Sequence, residues 1–509
     1  MRRLGTLVVI LFGSSFILFN LTAYSGDPTE ALRFSTDPKA AYQLHSLIRQ
    51  LQLDVPPPLR YFLWVKGILA GLVGNLDMGM TRDGLEVSTR LVQAIPTTFR
   101  LVTVAALIAL VLGVTLGIIT ALRQYSRFDY VVTFFSFLMF SLPIFWVAVL
   151  LKQFLAIRFN NFLGDAKIAP VWIIIFSGIT AIFWAGVIGG ERKRFFQVMS
   201  IAFISSALTL EALNLLNWYA NPRLGFVVTA IAAVGIAFGV TAISVGLEMK
   251  SALKASLAMS AVTTILYFPL QILFKHHANF KVLMGLAVLT VLTAMAVSRY
   301  FAKIDRLAVT RTTIISGLSM GLLVFLNRMM QTWGPYMETE GINGRPIPTI
   351  GEGNPQVTID DFWITTLDKA THLFLPTIAL TLISFAGYIR FTRGTLLEVL
   401  NQDYIRTARA KGLSERTVIV RHALRNTMIP LTTIIVVDIA GLIGGAIITE
   451  RVFGWHGMGT LFNDAITSFD LNLLMGVFFC TASLSVLANL VSDLLYSALD
   501  PRIRVGAGK

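Results

Sequence analysis

The chain has 509 residues, of which 55% are hydrophobic and only 14% charged, and its net charge is +14 at neutral pH. Soluble domains carry about a quarter charged residues, so this composition, with a mean hydropathy of +0.71, argues against a soluble protein. Continuous apolar runs, without the alternation of a barrel strand, point to an all-α polytopic membrane protein.

The first run, behind Arg2 and Arg3, predicts a retained helix at 4–23. It is longer than a signal-peptide core and shows no small-x-small cleavage site. A polar stretch containing Pro56, Pro57 and Pro58 follows. Spans are then expected at 99–121 and 129–151, and six more at 170–189, 195–216, 224–246, 255–273, 281–298 and 312–329. A second polar loop covers 330–371, before spans at 373–392, 429–449 and 473–498. Twelve spans place both termini on one side, with "RQYSR", "ERKR", "LEMKSALK" and "RYFAKIDRLAVTR" in short loops on that side. Cytoplasmic loops concentrate Lys and Arg, so this threading makes the termini cytoplasmic and explains the basic excess without nucleic acid. "KHHANFK" is the basic loop that falls outside. The single cysteine, Cys480, lies in an apolar run and leaves no intrachain disulfide and no cysteine-rich metal site.

One inner loop is unusual. "DYIRTARAKGLSERTVIVRHALRNTMIP", Asp403 to Pro430, interrupts two apolar runs. Residues 398–411 are good helix formers, and Gly412 can take the left-handed turn that ends a helix. Ser414 suits an N-cap and Glu415 a first turn, so a second short helix is expected at 415–425. Tyr404, Ile405 and Ala408 can share one apolar face, and Val420 and Leu424 pair at i, i+4. Pro430 is expected to open the next span. Such a basic, partly apolar knob suits either anionic lipid headgroups or a groove in a partner protein.

The same stretch, 402–430, resembles the EAA loop of ABC-importer permeases in the variant of the dipeptide, oligopeptide and nickel importers. Similar too are "LFLPTIALTLISFAGYIRFTRGTLLEVL", "GGAIITERVFGWHGMGTLFNDAI", "NLVSDLLYSALDPRIR" and, near the start, "LQLDVPPPLRYFLWVKGILAGLVGNLDMGMT" with "IPTTFRL". The last pair resembles the B-type permease. In that family an alanine followed four residues later by glycine marks the helix that enters a groove of the ATPase; here these are Ala408 and Gly412. The family's leading Glu-Ala is Arg406-Thr407 in this chain.

The resemblance implies a six-helix type I importer-permease core at 1–155 and 366–509, with an inserted block of about six further helices at 156–365. It implies a plasma-membrane protein of a bacterium or archaeon. It also implies partners: two ATP-binding subunits, a second, C-type permease and an extracytoplasmic solute-binding protein, besides membrane lipid. The coupling residues expected are Asp403, Tyr404, Arg406, Thr407, Ala408, Arg409, Lys411, Gly412, Leu413 and Ser414. Since no G-x-x-x-x-G-K-[ST] pattern occurs, ATP hydrolysis is assigned to partners, and no catalytic, cofactor or metal residue is expected. Asp438 is an intramembrane acid and so a pathway candidate, with Gly441, Gly444 and Gly445 suited to either a pathway or close helix packing. Glu211 and Asn214 are expected to pair or pack within an inserted span. The competing reading is an ion-gradient-driven secondary transporter with twelve spans, in which Asp438 or Glu211 carries protons.

Overall fold

Each expected span falls on a helix or a pair of consecutive helices in the computed structural model, which describes residues 2–302, 305–357 and 361–499. The helices that matter below are α1 (Arg2–Ser25), α2 (Ala40–Gln50), α3 (Pro57–Ala70), α4 (Val87–Leu122), α5 (Arg127–Ser141) and α6 (Ile144–Leu151). Then come α7 (Pro170–Ile188), α8 (Arg192–Leu215), α9 (Gly225–Ser244), α10 (Lys250–Ile265), α11 (Tyr267–His277), α12 (Phe280–Phe301) and α13 (Arg306–Gln331). The chain ends with α14 (Phe362–Leu400), α15 (Asp403–Ala410), α16 (Leu424–Gly445), α17 (Ile447–Phe453), α18 (Met458–Thr467) and α19 (Leu471–Leu499). Among the described residues there is no strand, only an isolated bridge between Met80 and Glu86.

Nine helices among the described residues are long and apolar enough to cross a membrane, or eleven if each of two bent pairs is one span. α16, at the expected eleventh span, is not among them. The bent pairs correct the expectation of straight spans at 129–151 and 255–273. The first bends by 105° between α5 and the helix starting at Ile144. Pro143 forces Leu142 to an extended backbone, φ −83° and ψ 132°, which ends the helix. The second bends by 54° between α10 and α11. Pro269 has no N–H to give the carbonyl of Ile265.

The described chain divides into two compact units: residues 1–156, 349–352 and 372–509, and residues 157–348 and 353–371. In the second, α7 and α8 form a hairpin, with Ile173, Ser177, Ala181 and Ala185 of α7 buried at a four-residue spacing. Asn214 holds the backbone of Ile168 through both its amide oxygen and nitrogen, each at 2.9 Å, and Glu211 stays exposed beside it. α9, α10, α12 and α13 bury Ala233, Ala237, Met259, Ala294 and Met320 together. Small residues let these backbones approach, and hydroxyl pairs tie them: Ser256–Ser316 at 3.0 Å, Ser244–Thr312 at 2.8 Å and Ser298–Thr310 at 2.9 Å.

In the first unit α4 is the long rod. Its 36 residues span about 54 Å at 1.5 Å each, well beyond a hydrocarbon core of about 30 Å. It meets α14 through "GVTLG". A Cβ on Gly113 would come 2.5 Å from Tyr388 Cβ, and one on Gly117 2.7 Å from Thr392 Cβ. Only glycine allows so close an approach of the two helices.

Candidate functional site: a short helix at one end of α4, a buried carboxylate at the other

α15 begins after a break at Asn401 and Gln402, where Gln402 takes an extended backbone (φ −72°, ψ 148°). The expected helix at 398–411 is therefore two elements: the tail of α14 and a separate short helix. Ile405 and Ala408 are buried, at 0% and 6% exposure, in a cluster with Ala121 of α4, Leu396 of α14, and Val418 and Ala423. Burying an isoleucine contributes about 1.5–3 kcal/mol, so this cluster is what holds α15 down.

Several expectations for the loop change here. Tyr404 does not join the apolar face; it is 42% exposed, and its hydroxyl accepts from Asn426 Nδ2 at 2.9 Å. Ala408 points into the chain, so its small size serves internal packing and not close approach by a partner. Val420 is exposed, and Val418 and Ala423 are the buried pair. The reason is a π-helical stretch, Val418–Ala423, whose wider turn moves the inward positions from four residues apart to five. There is no second short helix at 415–425. The chain turns helical at Glu415 and continues into α16, so Pro430 sits inside α16 and not at the start of a span.

The turn itself is as its residues dictate. Gly412 has φ +75°, and its N–H donates to Arg409 O at 2.9 Å. A Cβ there meets open space, so a substitution is strained by the backbone alone. Ser414 Oγ caps the next helix by accepting from Thr417 N at 3.4 Å. Arg409 reaches across the turn to Glu415, Nε to Oε1 at 2.8 Å. Asp403 and Arg406 pair loosely at 3.6 Å, both largely in solvent. The surface that α15 and its turn present therefore comprises Asp403, Tyr404, Arg406, Thr407, Arg409, Lys411, Gly412, Leu413 and Ser414, all exposed.

Beside this mount sits a pair that sequence reading missed. Asp129, 3% exposed, accepts from Arg393 Nε at 3.1 Å and Nη2 at 3.0 Å, and from Tyr125 N at 3.1 Å. Ser126 caps α5 by accepting from Asp129 N. The Ser-x-x-Asp spacing was a readable capping signal; the arginine, 264 residues away, was not.

The second cluster lies at the other end of α4. Thr98 and Ala121 are about 35 Å apart along the helix at 1.5 Å per residue. Glu450 of α17 is fully buried. Its carboxylate accepts from Thr98 Oγ1 at 2.6 Å, Thr460 N at 2.8 Å and Thr460 Oγ1 at 3.3 Å. Thr98 Oγ1 accepts in turn from Met458 N at 2.7 Å. Gly457 leaves room for this web, because a Cβ there would strike Thr98 Oγ1 and Glu450 Oε1. Glu352 adds a second carboxylate, accepting from Thr97 Oγ1 at 3.1 Å and His456 N at 2.7 Å. Lys152 donates to the carbonyl of Val452 and lies 5.3 Å from the Phe453 ring centre. The readable signal was an acid just before the glycine-rich "GWHGMG"; its hydroxyl partner was not readable.

Between these ends lies Asp438, exposed on α16 and hydrogen-bonded to the buried Tyr388 of α14. Gly441 faces open space, so no helix among the described residues uses it for close packing. The surroundings of Gly444 and Gly445 lie outside what is described.

The described residues are all-helical, with nine helices long and apolar enough to cross a membrane and a short polar helix between α14 and α16. Residues 286–505 match the sequence profile of the binding-protein-dependent transport system inner membrane component. The chain is 37% identical over 183 residues to the oligopeptide transport system permease protein OppB of Mycobacterium tuberculosis (strain ATCC 25618 / H37Rv), covering 36% of this chain and 54% of the relative. It is 45% identical over 136 residues to the oligopeptide permease AppB of Bacillus subtilis (strain 168), covering 27% and 43%. It is 46% identical over 138 residues to the dipeptide permease DppB of Escherichia coli (strain K12), covering 27% and 41%. The aligned stretches thus span about half, or less, of the length of these curated relatives.

Proposed function

We propose that the chain is the membrane permease subunit of an ATP-driven importer of di- or oligopeptides, lining the translocation path with a second permease. ATP hydrolysis belongs to two partner ATP-binding subunits, and an extracytoplasmic binding protein delivers the peptide. The carrying observation is the mounting of α15. Its apolar face is seated on the ends of α4, α14 and the run into α16, while its polar face is left open. A helix held this way transmits a push from a docked ATPase into the spans. Each ligand shifts the inward–outward balance only by its differential affinity for the two states. The names of the relatives support peptide as cargo.

On this reading 403–414 faces the cytoplasm with both termini, which agrees with the basic loops on that side. Asp438 and the glycines of α16 are pathway candidates; Asp438 is exposed, and Gly441 faces open space. Residues 1–155 and 366–509 act as the core, and 156–365 as an insertion; the two compact units support that division. The test is Gly412→Glu in the assembled importer. Membrane insertion stays normal, and stimulation of ATPase activity by loaded binding protein falls severalfold. Wild-type stimulation, or uptake that survives ATP depletion and stops when the ion gradient collapses, contradicts the reading.

A further inference from the structure

Arg60 stands on the first turn of α3 and is 8% exposed. Its guanidinium lies 5.7 Å from the Phe19 ring centre, and Nε has no hydrogen-bond partner. Trp64, one turn on and also 8% exposed, leaves its indole N–H unpartnered. Both residues line a cavity of about 100 Å³ with Gln50, Gln52, Asp77 and Asn472. Three of the other polar side chains there are engaged. Gln50 Nε2 donates to Thr81 O at 2.6 Å, Asn472 Nδ2 donates to Met80 O at 2.9 Å, and Asp77 Oδ1 accepts from Gly79 N at 2.8 Å. Two buried donor atoms, Arg60 Nε and Trp64 Nε1, therefore share one cavity without a hydrogen-bond partner. Burial, with no acid offsetting it, pushes the Arg60 pKa down. Such a group is costly until an anion pairs with it.

The helix that carries these donors has a second face. Leu59, Phe62 and Leu63 are exposed at the three- and four-residue spacings of a short apolar stripe, and Leu63 also lines the cavity. An apolar stripe running up to an oxyanion pocket matches a molecule with a charged head and greasy tails. We propose that this cavity binds the phosphate of a membrane phospholipid, with the acyl chains along the α3 stripe. The carboxylate of Asp77 in the same cavity favours a headgroup that also carries an ammonium.

The test is native mass spectrometry of the detergent-solubilised full chain, titrated with phosphatidylethanolamine. Wild type retains one lipid. Arg60→Gln loses roughly tenfold or more in affinity, the scale of a charge-assisted hydrogen bond. Trp64→Phe, which keeps the ring and removes only the N–H, loses a smaller factor, and it decides the matter if Arg60→Gln does not fold. Equal retention by wild type and the folded variants overturns the proposal. So does a delipidated wild type that binds inorganic phosphate but takes up no phospholipid.

Discussion

The two ends of α4 solve opposite problems. At the Glu450 end the Glu450 carboxylate is turned inward, and Thr98, Thr460 and Met458 are satisfied within the chain. On α15 itself Ile405 and Ala408 are turned inward and the charged side chains outward, held by ion pairs that are mostly in solvent. A buried carboxylate web is self-contained, so it fixes geometry. An exposed polar helix on an apolar seat is incomplete by itself, so it suits contact with another protein.

Substitutions can break this contrast or sharpen it. The largest effect is expected from Glu450→Ala. It strands the Thr460 N–H and the Thr98 hydroxyl, each at about 1–3 kcal/mol, and should lower the unfolding midpoint of the purified protein sharply. An unchanged midpoint would mean that the web is not structural. Next comes Ile405→Ala, which hollows the seat of α15 and should cost about 2–5 kcal/mol. If the seat is also the lever, ATPase stimulation falls more than stability predicts, and activity that tracks stability alone removes the lever. Arg406→Ala should cost under about 1 kcal/mol, because its pair with Asp403 is exposed. Its expected signature is weaker co-purification with the ATP-binding subunit at unchanged folding; equal co-purification would leave the exposed face without a role.

The smallest effect concerns pH. Asp470, ahead of α19, accepts from Arg82 N at 2.6 Å and Leu473 N at 3.0 Å, yet burial raises its pKa above the ordinary value. The fold therefore favours its protonated form. Its contribution to stability grows as pH falls through the folded pKa and levels off below the ordinary one. Asp470→Asn should flatten that component in unfolding midpoints measured across mildly acidic pH; an identical pH profile would rule it out.

Much of the architecture was legible because it depends on neighbours in the chain. Apolar runs mark helices, Gly412 marks a left-handed turn and Ser414 a cap; the bends at Pro143 and Pro269 were not read from the sequence. The face of α15 was only half legible. Ile405 and Ala408 were recognised as one side, but an eight-residue helix with small residues on both sides does not announce which is covered. The register of the following helix was misread because nothing local distinguishes a π turn from an α turn at 418–423.

The sequence alone determined where most of the apolar helices of this chain lie, since backbone preference and burial of apolar runs act over a few residues. Only the tertiary structure decided which charges are hidden and which are offered. Glu450 and Thr98 lie 352 residues apart, and a carboxylate is worth burying only where folding brings donors to it.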